Sequence, residues 1–115
     1  MIHQNHSINY VEFPAHDALP AVKTFYGTVF GWHFQEWGDA YADSTSPGVG
    51  VGFDAGKDAV AAPLPVIYAA HLENALAAVQ AAGGIISREI FAFPGGRRFH
   101  FIDPAGNELA VWSEH

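Results

Sequence analysis

The order of elements along this chain repeats, and that repeat limits the folds open to it. Apolar alternation marks a strand over residues 7–13, followed by helical spacing over 18–29 and strands over 32–37, 41–44 and 48–53. A polar, small-residue linker over 55–62 separates this half from the next. The pattern then restarts with a strand over 64–70, a helix over 72–82 and strands over 85–93, 97–102 and 108–112. A shift of about 54 positions places Asp17 on His71, Val22 on Leu76 and Phe25 on Val79. Punctuation supports both helices. Asp17 is placed as an N-cap, Pro20 falls in a first turn, Gly31 stops the first helix and Gly83-Gly84 stops the second.

Two βαβββ modules follow, one over about 6–54 and one over about 63–115. The expected fold is α+β, a single domain in which helices cover one face of a curved mixed sheet. The other, concave face encloses a cleft suited to a small molecule. The 115 residues are half apolar and 14% aromatic, enough to build such a core. The formal charge of -7, with five Lys plus Arg, argues against nucleic acid or an anionic membrane as partner. No cysteine is present, which removes disulfides, thiolate metal sites and cysteine nucleophiles. The first residues lack the apolar stretch of a signal peptide, and no run is long enough to span a membrane, so a cytoplasmic location is expected.

The last strands carry the most specific signal. Asp103-Pro104-Ala105-Gly106-Asn107 reads as a tight turn, flanked by alternating apolar residues from Arg98 to Ile102 and from Glu108 to Trp112. Together with Phe25-Tyr26-x-x-Val29-Phe30-Gly31-Trp32 and Ala82-Gly83-Gly84, it resembles the vicinal oxygen chelate superfamily: glyoxalase I, bleomycin-resistance proteins and extradiol dioxygenases. The run from Phe93 to Phe101 is similar to a small glyoxalase-related bacterial subgroup. The resemblance covers nearly the whole chain. It implies a homodimer and a lyase-like reaction if the protein is an enzyme.

The same resemblance implies four metal-ligand positions, His or Gln in the first strand of each module and Glu in the last. Here they fall on Tyr10, within Gly50 to Gly52, near Leu64 or Pro65, and on Ala110. None is a good ligand, so no cofactor is expected and a divalent metal is disfavoured. Glu108, with the strand parity of Ala110, is the residue that reopens the question; a site of Glu12, Glu108 and His100 would use unusual positions.

Two residues are candidates for acid/base catalysis. Glu12 is an acid in an apolar strand, and His100, between Phe99 and Phe101, faces opposite to both. Each also has a structural reading: Glu12 paired with Arg97, Arg98 or a backbone N–H, and His100 as a core histidine bonded to a strand neighbour. Candidate ligand-binding residues are Tyr10, Tyr41, Phe53, Tyr68, Arg97, Arg98, Glu108 and Trp112, the aromatics as walls and the arginines as an anion site. Singly, each aromatic fits plain core and each arginine an ion pair. His33 has a weaker case, while His3, His6 and His115 are expected to titrate in solvent. The expected function is a metal-independent glyoxalase-like protein acting on a small molecule. The alternative is a binding or sequestering protein of bleomycin-resistance type, with a metal-dependent lyase or dioxygenase behind both.

Overall fold

Alternation in the first strand sends Val11 and Phe13 to one side and Tyr10 and Glu12 to the other, and this division organises the first half. The computed structural model describes residues 3–115. In chain order these form β1 (Ile8–Pro14), α1 (Leu19–Phe30), β2 (Gln35–Glu36), β3 (Tyr41–Ser44), β4 (Gly50–Asp54), β5 (Leu64–Tyr68), α2 (Leu72–Ala81), β6 (Ile85–Phe93), β7 (Gly96–Ile102) and β8 (Glu108–Ser113). The architecture is α+β, with βαβββ read twice. Two compact units are present: Tyr10–Leu64, and residues 3–9 with Pro65–His115.

In the Tyr10–Leu64 unit, β1 runs parallel to β4, with Glu12 opposite Gly52 and Phe13 opposite Phe53. A parallel pair needs a long crossover, and α1, β2 and β3 provide it. β4 then pairs antiparallel with β3, and β3 with β2. Leu19 is buried, and Val22 and Tyr26 of α1 pack on the face carrying Val51, Phe53, Val11 and Phe13. Phe53 is the hub, with ring centroids 5.2 Å from Phe13, 5.4 Å from Tyr26 and 5.9 Å from Phe34. Only Gln35–Glu36 of the expected 32–37 strand pairs, because Trp32 and Phe34 join this core; Trp32 stacks on Tyr26 at 4.7 Å. Gly31 closes α1 in the left-handed conformation, φ 71°, its N–H bonded to the Gly27 carbonyl. The expected Asp17 cap is corrected. Ala18 holds the N-cap position without a side-chain bond, since the chain turns at His16, φ 53°, and sets Asp17 one residue too early.

In the second unit, β5 runs parallel to β8, and β8–β7–β6 is an antiparallel meander. α2 packs Leu72, Ala75, Leu76 and Val79 against Phe99, Phe101, Val111 and Ile67. The turn between β7 and β8 forms as the sequence predicts. Asp103 Oδ1 accepts the N–H groups of Ala105 and Asn107, both at 2.9 Å, and Gly106 takes φ 88°. These donors, Asn107 foremost, hold the Asp103 carboxyl below its ordinary range.

Residues 3–9 join this unit through long-range bonds. Tyr68 N–H donates to the Ser7 carbonyl (2.9 Å), His6 N–H to the Tyr68 carbonyl (2.7 Å), and Trp112 Nε1–H to Asn9 Oδ1 (3.1 Å). This corrects the expectation that His3 lies out in solvent. Its side chain is 15% exposed and lies against Tyr68 and Trp112.

Candidate functional site

In the first unit, the face turned away from α1 carries Tyr10, Glu12 and Tyr41. Strand parity puts Tyr10 and Glu12 on one side of β1, and Gly50 and Gly52 lie beside them on β4. Because Gly52 has no side chain, the two tyrosine rings lie down over the strand, and their hydroxyls meet in a hydrogen bond. Tyr41 Oη donates to Glu12 Oε1 at 3.2 Å. Glu12 is 5% exposed, so the phenol supplies part of the solvation that its carboxylate gives up. Burial, then the neighbouring Tyr10 and the Glu12 charge, push the Tyr41 hydroxyl well above its ordinary range, so it stays protonated as a donor. Phe53 is not part of this group. It has the parity of Val51 and belongs to the core under α1.

In the second unit, the face turned away from α2 gathers Arg98 and His100 of β7, Glu108, Ala110 and Trp112 of β8, and Tyr68 of β5. The registers His100↔Ala110, Ile102↔Glu108, Arg98↔Trp112 and Tyr68↔Trp112 set this grouping. His100 is 2% exposed. Its Nδ1 lies 3.3 Å from Glu108 Oε2, which also accepts Ser87 Oγ–H at 3.0 Å. Its Nε2 is buried and has no hydrogen-bond partner among the described residues. Burial, then the Arg98 charge, draw the imidazole below its usual value of 6.5, while Glu108 pulls the other way. His100 is therefore neutral near pH 7. With Glu108 facing Nδ1, the favoured tautomer carries Nδ1–H and leaves a lone pair on Nε2.

Arg97 and Arg98 part company. Arg97 lies on the α2 side, bound to both Glu73 oxygens at 2.6 and 3.1 Å and, through Nε, to the His115 carbonyl at 2.8 Å. That hydrogen-bonded pair holds the Glu73 carboxyl down and the Arg97 guanidinium up. Arg98 stays on the His100 side, 5.4 Å from the Phe91 ring, and Arg88 stacks on the same ring at 3.7 Å. Sequence reasoning missed Ser87, Arg88 and Phe91. The register Arg88↔His100 places them here, and it passes through irregularities in β6 that no residue pattern announces.

The metal positions implied by the superfamily fall on a phenol (Tyr10), glycines, Leu64 or Pro65, and Ala110, which cannot close a coordination shell. Among the described residues, no group of three His, Asp or Glu side chains is placed to hold a metal ion. Nor is any described helix long and apolar enough to cross a membrane.

No protein-family model matches this chain, and no curated protein matches it. Solved structures do. A glyoxalase/bleomycin resistance protein/dioxygenase superfamily member from Vibrio splendidus 12B01 is similar at TM-score 0.69 and 16% identity, over 90% of this chain and 96% of that one. An NAD-dependent benzaldehyde dehydrogenase from Legionella pneumophila is similar at TM-score 0.75 and 13% identity, over 90% and 96%. A Mn(II)-bound glyoxalase from Novosphingobium aromaticivorans is similar at TM-score 0.68 and 24% identity; 96% of this chain matches only 39% of that longer one. Their names span different chemistries, so the likeness is one of fold. The chain has the fold of the vicinal oxygen chelate superfamily, the glyoxalase/bleomycin resistance/dioxygenase proteins.

Proposed function

We propose that this protein acts on a small anionic molecule by metal-independent acid/base chemistry centred on His100. The observation that carries the reading is the buried imidazole with Glu108 on Nδ1 and an unsatisfied Nε2. An unpaired buried nitrogen costs about 1–3 kcal/mol, and a ligand that donates to it recovers that cost. In the step proposed, Nε2 takes a proton from the substrate and leaves its electron pair there. Glu108 offsets the resulting imidazolium, whose Nε2 proton exchanges with solvent before a proton is returned to the substrate or its rearranged form. Arg88 and Arg98, both acting electrostatically on His100, favour the negative charge that develops. Glu12, held by Tyr41, is the runner-up base.

The test is solvent-deuterium exchange into a panel of small carboxylic acids with an activated C–H. The expected result is catalysed exchange with at least one of them, falling by about 10²- to 10⁴-fold in His100→Asn. If His100→Asn exchanges every responsive acid at the wild-type rate, the acid/base reading is wrong. If none exchanges and ligands only raise thermal stability equally in both proteins, a binding protein remains.

The dyad also predicts a titration. Glu108 raises the affinity of His100 for a proton, so Glu108→Gln lowers the His100 pKa further, measurable from imidazole NMR shifts. Because the folded pKa lies below 6.5, the unfolded chain binds this proton first as pH falls. Stability from this group is present above 6.5 and is lost as pH drops through and below that value, and His100→Asn flattens that part of the curve.

Homodimerisation belongs to the same reading. Phe25, Val29 and Phe30 of α1 are 56, 53 and 62% exposed, an apolar patch that a second copy would cover. Phe25→Asp with Phe30→Asp is expected to convert a dimer to a monomer in light scattering. An unchanged mass would place any interface elsewhere.

A further inference from the structure

His3 occupies a box that the second unit builds from four side chains. Tyr68 and Trp112, cross-strand neighbours on β5 and β8, contact its ring at centroid distances of 4.8 and 4.9 Å, one tilted and one edge-on. Asn9 sits at one edge, its Nδ2 3.2 Å from His3 Nδ1, and Glu114 sits at the other, its Oε2 4.0 Å from His3 Nε2. Neighbouring bonds fix the polarity of the box. Trp112 Nε1–H donates to Asn9 Oδ1 at 3.1 Å, so Asn9 presents its amide N–H to the ring. Tyr68 Oη–H donates to Glu114 Oε1 at 3.1 Å, leaving the other carboxylate oxygen to accept. The imidazole therefore accepts at Nδ1 and turns its Nε2 edge toward the Glu114 carboxylate, 4.0 Å away. The box is complementary to a flat ring with a bare nitrogen on one edge and an N–H on the other.

The walls do not depend on the ring they hold. Tyr68 is 6% exposed and is paired within the sheet, as is Trp112. Phe93 lies edge-on to the indole at 6.2 Å. The occupant, by contrast, comes from a short segment held through His6 N–H, Ser7 and Asn5 Oδ1, so withdrawing His3 leaves those anchoring bonds in place.

We propose that Tyr68, Trp112, Asn9 and Glu114 form a binding site for a small planar nitrogen heterocycle of the azole kind, and that His3 is its internal stand-in, displaced when the ligand enters. The site goes beyond the acid/base reading and does not use His100. It assigns Tyr68 and Trp112 as recognition walls and adds Asn9 and Glu114, which sequence reasoning had not selected.

The test uses the full chain with His3→Ala, titrated with imidazole and, separately, with furan, a ring of similar size without an N–H. The readout is the Trp112 indole N–H signal in ¹⁵N-correlated NMR spectra, identified by its loss in Trp112→Phe. In wild type, imidazole must compete with a tethered ring at a local concentration on the order of millimolar or more, so His3→Ala is expected to bind it at least about tenfold tighter. Furan is expected to bind His3→Ala at least about tenfold more weakly than imidazole, since the ring-nitrogen bond to Asn9 and the attraction between the ring N–H and the Glu114 carboxylate are lost. A folded His3→Ala with no saturable imidazole shift overturns the proposal, and so does equal binding of furan, which would mean a plain apolar hole. If His3→Ala does not fold, the wild-type titration decides: His3 and Trp112 signals moving together to saturation supports the site, and no saturation overturns it. The signal is read without turnover, so either outcome leaves the His100 reading untouched.

Discussion

Gly52→Ala is expected to lose about 3 kcal/mol of stability, read as a lower denaturant midpoint at unchanged slope. A Cβ at this position would overlap the hydroxyls of both Tyr10 and Tyr41 and come within 2.6 Å of Tyr41 Cζ. Tyrosine rings are stiff, and these two are tied to each other and to Glu12. To admit one methyl group, the rings must lift and the Tyr41–Glu12 bond must open, leaving a carboxylate that is 5% exposed without that donor. The cost therefore joins overpacking to lost solvation of a buried charge. Tyr41→Phe in the Gly52→Ala background removes one obstructing oxygen and should recover part of the overpacking loss. If the two substitutions simply add, the overlap is not the cause.

Phe99→Ala is expected to cost about 4 kcal/mol, the larger effect of the two. Phe99 is fully buried between the sheet and α2, in the cluster with Leu72, Ala69 and Val111. It sits at the middle of β7, opposite Val111, where strands on both sides prevent collapse into the space left behind. For a domain of this size the loss corresponds to a fall in Tm of roughly 15 °C, and the variant should be marginal at 37 °C. A calorimetric Tm within a few degrees of wild type would show that the core repacks freely there. Because Phe99 precedes His100 and faces the other way, a folded Phe99→Leu variant, with its smaller volume loss, should keep the depressed His100 titration.

Much of the fold was legible because its signals are local. The bounds of β3 and β6 match the strands read from the sequence, and Gly31 and Gly83 end the helices where only positive φ allows the chain to turn. The Asp103 turn carries its own hydrogen-bond donors and acceptors. What failed depends on partners distant in sequence. Arg97 and Arg98 were grouped by charge, although adjacent strand residues must face opposite sides; the decisive partner, Glu73, lies on a helix 24 residues away. Phe53 was grouped by type with the tyrosines, although its parity with Val51 assigns it to the core. His3 looked like a terminal residue until its neighbours Tyr68 and Trp112 were in place.

The pairing of residues 3–9 with the second unit bears on how the protein forms. Asn9 meets Trp112 across 103 residues and Asn5 meets Ala70 across 65, so these contacts raise the contact order well above that of the hairpins. During synthesis residues 3–9 precede β5 and β8 and cannot dock until those strands have been made. The Tyr10–Leu64 stretch contains its own sheet pairings and can begin to fold earlier. Closing the loop between residues 3–9 and β8 therefore costs more chain entropy than closing the hairpins.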